Sequence, residues 1–210
     1  MTQKRIVISK VIVWLLCLAP IANLVLHGMR AELGANPIEK VMNSLGYWTL
    51  TLLVSSLAIT PLRRISGWNW MIRFRRLVGL FAFFYVCLHL ATYVVLDQEL
   101  DLAAVLQDIP KRPFILVGFL AFMLLAPLAA TSTQWSIRKL GGRNWNRLHK
   151  LVYVSAALGV VHFWWKVKAD KLQPAIFGAV LALLLGYRIV AWLRNRAKAP
   201  AGAASAVVRP

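Results

Sequence analysis

The chain is expected to fold as an all-α bundle of six transmembrane helices, and three observations carry that expectation. Its 210 residues are 60% apolar and only 15% charged, with a mean hydropathy of +0.64, more apolar side chain than a soluble unit of this length can hide. Apolar runs recur at the length of about 20 residues that crosses a hydrocarbon core about 30 Å thick. The third observation is the charge, which alternates in sign balance from loop to loop.

The expected spans are residues 7–27, 45–62, 76–96, 113–132, 147–165 and 173–193. Of the 25 basic residues, seven (Arg30, Lys40, Lys111, Arg112, Lys166, Lys168 and Lys171) lie in the odd-numbered loops, together with all seven acids. Those acids are Glu32, Glu39, Asp97, Glu99, Asp101, Asp108 and Asp170. The remaining 18 basic residues, among them Arg63, Arg64, Arg75, Arg76, Arg138, Lys150 and Arg188, fall at the N-terminus, in the even loops and around the C-terminus. One face is therefore about +18 and the other about neutral, the positive-inside asymmetry that puts both termini in the cytoplasm. A formal charge of +18 is thus a topology signal and a contact for anionic lipid heads, not a nucleic-acid footprint.

Span 1 follows Lys4 and Arg5, and its apolar run is longer than a signal-peptide h-region with no small-residue cleavage site after it, so it is expected to be retained. Pro20 in span 1 and Pro127 in span 4 are expected to kink their helices. His27 closes span 1 beside Gly28 and reads as interfacial. Between spans 2 and 3, RRISGWNWMIRFRR (63–76) interleaves Arg with Trp and Phe. It could grip a flavin phosphate or a donor's acidic patch, or simply supply inside-face charge and aromatic anchoring. Tryptophans at 48, 68, 70, 135, 145, 164, 165 and 192 gather near span ends as an interfacial belt. Cys17 and Cys87 lie inside spans, form no CxxC pair, and read as small buried hydrophobes. Residues 1–196 are read as one transmembrane domain and 197–210, rich in Ala and Pro, as a disordered tail. No GxGxxG or Walker loop is present, so the chain has no Rossmann unit of its own.

The chemistry is carried by histidines. His89 lies 13 residues after Arg76, at the inner end of span 3, and His162 lies 13 residues after His149, at the inner end of span 5. Spans 3 and 5 run in the same direction, so both imidazoles are expected about 20 Å above the inner boundary. Two neutral imidazoles at matched depth on neighbouring helices can hold one haem iron between them. A histidine in a span can also hydrogen-bond across a helix interface. His149 lies about 220° around an ideal helix from His162. No histidine stands at its level on span 3, only Arg75 and Arg76, and guanidinium has no lone pair for iron. A flavin, a quinone or a haem with one protein ligand remains open at that inner level, where Arg76 could meet a flavin or a haem propionate.

The segments RRLVGLFAFFYVCLHLATY and NWNRLHKLVYVSAALGVVHFWW resemble the ferric-reductase-like transmembrane domain shared with NADPH oxidases. With six spans and no dehydrogenase domain, the chain is similar to the YedZ/MsrQ family over about residues 7–193. That resemblance implies haem b on His89 and His162, with His149 as the further family histidine, and an FMN cofactor. It also implies a bacterial inner-membrane location and a periplasmic molybdopterin methionine-sulfoxide reductase as catalytic partner. Electrons would come from the quinone pool or a cytoplasmic flavin reductase. NADPH oxidases carry two histidines on span 3 where this chain has one, which argues against a two-haem wire. The expected function is a membrane cytochrome that relays electrons outward and is not itself the catalytic subunit. The alternatives are a self-standing quinol or ferric reductase, a proton-coupled transporter, disfavoured because every acid lies in a loop, and a colourless structural scaffold.

Overall fold

The computed structural model describes residues 3–197, and among these every regular element is helical. In chain order they are α1 (Gln3–Met29), α2 (Pro37–Ser66), α3 (Ile72–Ala91), α4 (Leu102–Lys111) and α5 (Pro113–Ala130), then α6 (Gln134–Leu140), α7 (Gly142–Leu148), α8 (Leu151–Lys166) and α9 (Leu172–Ala197). A 3₁₀ turn (Asn69–Met71) leads into α3, and a π-helical segment (Thr92–Asp97) continues it. Of the expected tail, Ala197 is the last residue of α9 and the rest lies outside the described residues.

Among the described residues, five helices are long and apolar enough to cross a membrane: α1, α2, α3 with its flanking turns, α5 and α9. The remaining expected span, α8, has 16 residues, about 24 Å of rise, which is shorter than the hydrocarbon core. Two stretches expected to be loops contain short helices, because each carries its own N-cap. The Asp101 carboxylate accepts from Ala104 N at the start of α4, and the Thr133 hydroxyl accepts from Ser136 N at the start of α6.

Helix α2 also begins earlier than the apolar run implies, at Pro37, because Asn36 accepts from Glu39 N and proline suits the first turn. It ends where Gly67, at φ 73°, turns left-handed and donates its N–H to Arg63 O.

The bundle is built from two close pairs, α2 with α3 and α5 with α8, with α9 against α2 and α8 and α1 on the flank of α2 and α3. Ala82 and Ala156 are fully buried; small residues at these points let the helices approach, the main packing device where lipid removes the hydrophobic drive. Ser155 Oγ donates to Ala121 O across the α5–α8 seam at 2.9 Å. The proline in α1 is supported from outside the helix. The Tyr85 hydroxyl of α3 donates to Cys17 O at 2.8 Å and accepts from Ile21 N at 3.2 Å. That hydroxyl is inserted beside the backbone groups of Cys17 and Ile21, on either side of Pro20. Both cysteines are free, Cys17 buried and Cys87 half-buried.

Candidate functional site

His89 stands in the last turn of α3 and His162 near the end of α8, and the fold brings them together. Their ring centroids are 6.1 Å apart with planes at 85°. His89 Nδ1 lies 2.8 Å from Met42 O on α2, and His162 Nδ1 lies 2.6 Å from Phe114 O on α5. A carbonyl only accepts, so each Nδ1 carries the proton and donates, which leaves each Nε2 with its lone pair. No hydrogen bond engages either Nε2 among the described residues.

A glycine makes each of these contacts. Gly46 lies four residues after Met42 and Gly118 four residues after Phe114, so each glycine is one turn beyond the carbonyl its histidine reaches. A Cβ on Gly46 would come within 3.2 Å of His89 Nδ1 and Cε1, and a Cβ on Gly118 within 2.6 Å of His162 Nδ1. The rings lie against bare backbone on α2 and α5. Nothing in residue spacing identified these glycines. The available signal was a glycine within each neighbouring apolar run, nine and five residues in from Pro37 and Pro113.

Both imidazoles line a cavity of ≈ 920 Å³ walled by Leu50, Leu53, Val86, Ile115, Phe119 and Phe122. Its outer rim is polar, with Asn36, Glu39, Lys40, Asp97, Arg112, Lys166 and Asp170. Lys166 Nζ pairs with Glu39 at 3.4 Å and donates to Asn43 Oδ1, tying α8 to α2 across the rim. Helix α4 closes another side with Val105 and Ile109. It is held by the buried Asp108, which accepts from the Tyr93 hydroxyl at 2.7 Å and pairs with Arg112 Nε at 2.7 Å.

These features fit a bis-histidine haem. Two imidazole nitrogens each about 2 Å from one metal, plus about 1 Å from nitrogen to ring centre, put the centroids about 6 Å apart, close to the 6.1 Å observed. The Nδ1-to-carbonyl bonds are the outer partners that orient metal-binding imidazoles, and apolar walls with cations at the rim suit a macrocycle bearing carboxylates.

The other expected residues lie elsewhere. His149 sits at the end of α7, before α8 begins, so the ideal-helix angle to His162 does not apply. Its ring stacks on Trp145 at 3.8 Å and its Nε2 lies 3.1 Å from Thr131 Oγ1. Burial, with Arg75 nearby, holds its imidazole below the ordinary histidine range. Arg76 is exposed in the N-terminal part of α3 and does not line the cavity. His27 bonds through Nδ1 to Asn23 O at 2.9 Å on an exposed surface. In the 63–76 segment, Trp68 stacks on Trp70 at 5.9 Å, and Trp70 meets Phe74 edge-on at 5.8 Å.

Residues 45–160 match the family described as ferric reductase like transmembrane component. Three curated relatives are named protein-methionine-sulfoxide reductase haem-binding subunit MsrQ. That of Ralstonia nicotianae is 50% identical over 93% of this chain and 91% of its own. That of Herminiimonas arsenicoxydans is 50% identical over 91% and 89%, and that of Bordetella pertussis 49% over 95% and 97%. No solved structure matches the chain. With the family match covering more than half of its length and near-complete coverage of these relatives, the chain belongs to the ferric-reductase-like transmembrane family and, within it, to the MsrQ family.

Proposed function

We propose that the protein is a b-type cytochrome of the bacterial inner membrane, with six spans and both termini cytoplasmic, that passes electrons outward to a methionine-sulfoxide reductase. The carrying observation is the pair of imidazoles 6.1 Å apart, each with its Nδ1 proton committed to a backbone carbonyl. In this reading His89 and His162 would hold a haem iron through their Nε2 atoms, and Gly46 and Gly118 admit their rings. A haem bound there would supply one-electron redox chemistry.

The chain's own residues set the conditions for that transfer. The apolar walls keep the site dry, and the two carbonyls hold the ring orientations, so little rearranges as charge changes. The site lies towards the ends of α3 and α8 that meet the neutral loops, so electrons leave on the outer side. The rim residues Lys40, Arg112, Lys166, Asp97 and Asp170 then face the partner, a periplasmic molybdopterin subunit. Reducing one sulfoxide to a thioether and water consumes two electrons and two protons, hence two successive passages through this site. The donor is the quinone pool or a cytoplasmic flavin reductase at the inner face, and FMN is carried over from the family resemblance alone.

An optical spectrum with pyridine-haemochrome quantitation, recorded for the wild type and for His89→Ala, His149→Ala and His162→Ala, tests the assignment. His89→Ala and His162→Ala lose most of the bound haem, whereas His149→Ala keeps the low-spin bis-histidine signature. Full haem retention in both of the first two variants would reject the ligand pair.

A further inference from the structure

The outer rim of the histidine cavity carries two ion pairs, and they are built in opposite senses. In the pair of Arg112 with Asp108 the acid is the buried partner, its side chain 11% exposed against 52% for the arginine. In the pair of Lys166 with Glu39 the cation is the buried partner, 29% exposed against 53% for the acid. Lys166 is the last residue of α8 and stands four residues after His162, so its side chain leaves the same helix face one turn further out. It lines the cavity that both imidazoles share.

A small hydrogen-bond network fixes the ammonium there. Asn43 lies between the two charges: its Oδ1 accepts from Lys166 Nζ, and its Nδ2 donates to Glu39 Oε1 at 3.4 Å. Asn36 Nδ2 donates to Glu39 Oε2 at 3.3 Å. Asn43 directly follows Met42, whose carbonyl accepts from His89 Nδ1. The ammonium therefore reaches from the helix that carries His162 to the turn of α2 that supports His89, with its aliphatic stem along the cavity wall.

Resting on the bis-histidine haem reading above, we propose that Lys166 is a potential-setting residue for that haem, its ammonium favouring the reduced iron and Glu39 opposing it. Reduction adds one electron, with no proton or bond gained at this site, so the charge between the imidazoles falls by one. A fixed cation one turn from an axial histidine stabilises that more negative form, and beside apolar walls the attraction is less screened than in water. Glu39, further into solvent, offsets only part of it. The electron is supplied by the quinol or reduced flavin at the inner face and leaves to the sulfoxide reductase outside.

Equilibrium redox titration of the haem-loaded protein, followed by its absorbance, tests this in Lys166→Gln, Lys166→Arg, Glu39→Gln and the Lys166→Gln/Glu39→Gln double variant. At a fixed poise, Lys166→Gln lowers the ratio of reduced to oxidised haem about threefold or more, a drop of about 28 mV for one electron. Glu39→Gln shifts the potential upward by a smaller amount, Lys166→Arg stays near the wild type, and the double variant falls between the two single ones. A merely structural tie predicts no such change of sign, because both substitutions loosen the same pair. Should Lys166→Gln fail to bind haem, Glu39→Gln against the wild type carries the test. The inference is overturned if Lys166→Gln leaves or raises the potential, if Glu39→Gln leaves or lowers it, or if both variants lose their haem. A wild type without the low-spin bis-histidine spectrum would reject the reading on which the inference rests, and the inference with it.

Discussion

His162 rests directly on Gly118: a methyl placed there would sit 2.6 Å from the ring's Nδ1, the atom that donates to Phe114 O. Gly46 stands in the same relation to His89, with more room at 3.2 Å. Gly118→Ala must therefore push the ring off its carbonyl, an overpacking cost of about 1–3 kcal/mol, or roughly ten- to a hundredfold in haem affinity. Gly46→Ala costs less. Haem per protein, measured by pyridine haemochrome, should fall in the order wild type, Gly46→Ala, Gly118→Ala. Equal haem in all three would show that close approach to the backbone does not govern the site.

Tyr85 has no exposed surface, and its hydroxyl serves both Cys17 O and Ile21 N beside Pro20. Removing the hydroxyl leaves two buried backbone groups with one partner fewer, worth about 1–3 kcal/mol. Tyr85→Phe is expected to lower the melting temperature in detergent while leaving the haem spectrum unchanged. A melting temperature equal to that of the wild type would mean that water or a backbone shift replaces the hydroxyl.

Asp108 joins Tyr93 to Arg112 and pins α4 over the cavity. With Asp108→Ala the tether is lost and Arg112 is left unpaired at the rim. Haem transfer to apomyoglobin, followed optically, should then accelerate about tenfold, the equivalent of one charged hydrogen bond. An unchanged rate would show that α4 does not control escape.

At 16 residues, α8 is the span whose crossing most needs a direct measurement. The native Cys17 and Cys87 are buried and half-buried, so introduced cysteines can be read against a low background. In intact cells, a membrane-impermeant maleimide should label Asp170→Cys, and Asn144→Cys only after permeabilisation. Labelling of both from outside would mean that α8 does not cross.

The sequence by itself determined an all-helical membrane chain, the uneven distribution of charge along its loops, and the equal spacing that brings His89 and His162 to one level. These are properties of composition and of a constant rise per residue, so they need no knowledge of neighbours. Helix ends and caps were less legible. Asp101 and Thr133 start helices inside stretches without apolar periodicity, where local hydrogen bonds decide, and Asn36 starts α2 before its apolar run begins. Only the tertiary structure decided which backbone each imidazole meets. The roles of Gly46, Gly118, Met42 O and Phe114 O depend on how α3 faces α2 and α8 faces α5, a contact between residues 43 or more apart in the chain. The same holds for Arg188 and for Tyr85, whose partners Leu57 O, Cys17 O and Ile21 N sit beside Pro61 and Pro20. A proline shows in the sequence where a helix loses a hydrogen bond, but only packing decides which distant side chain stands beside it.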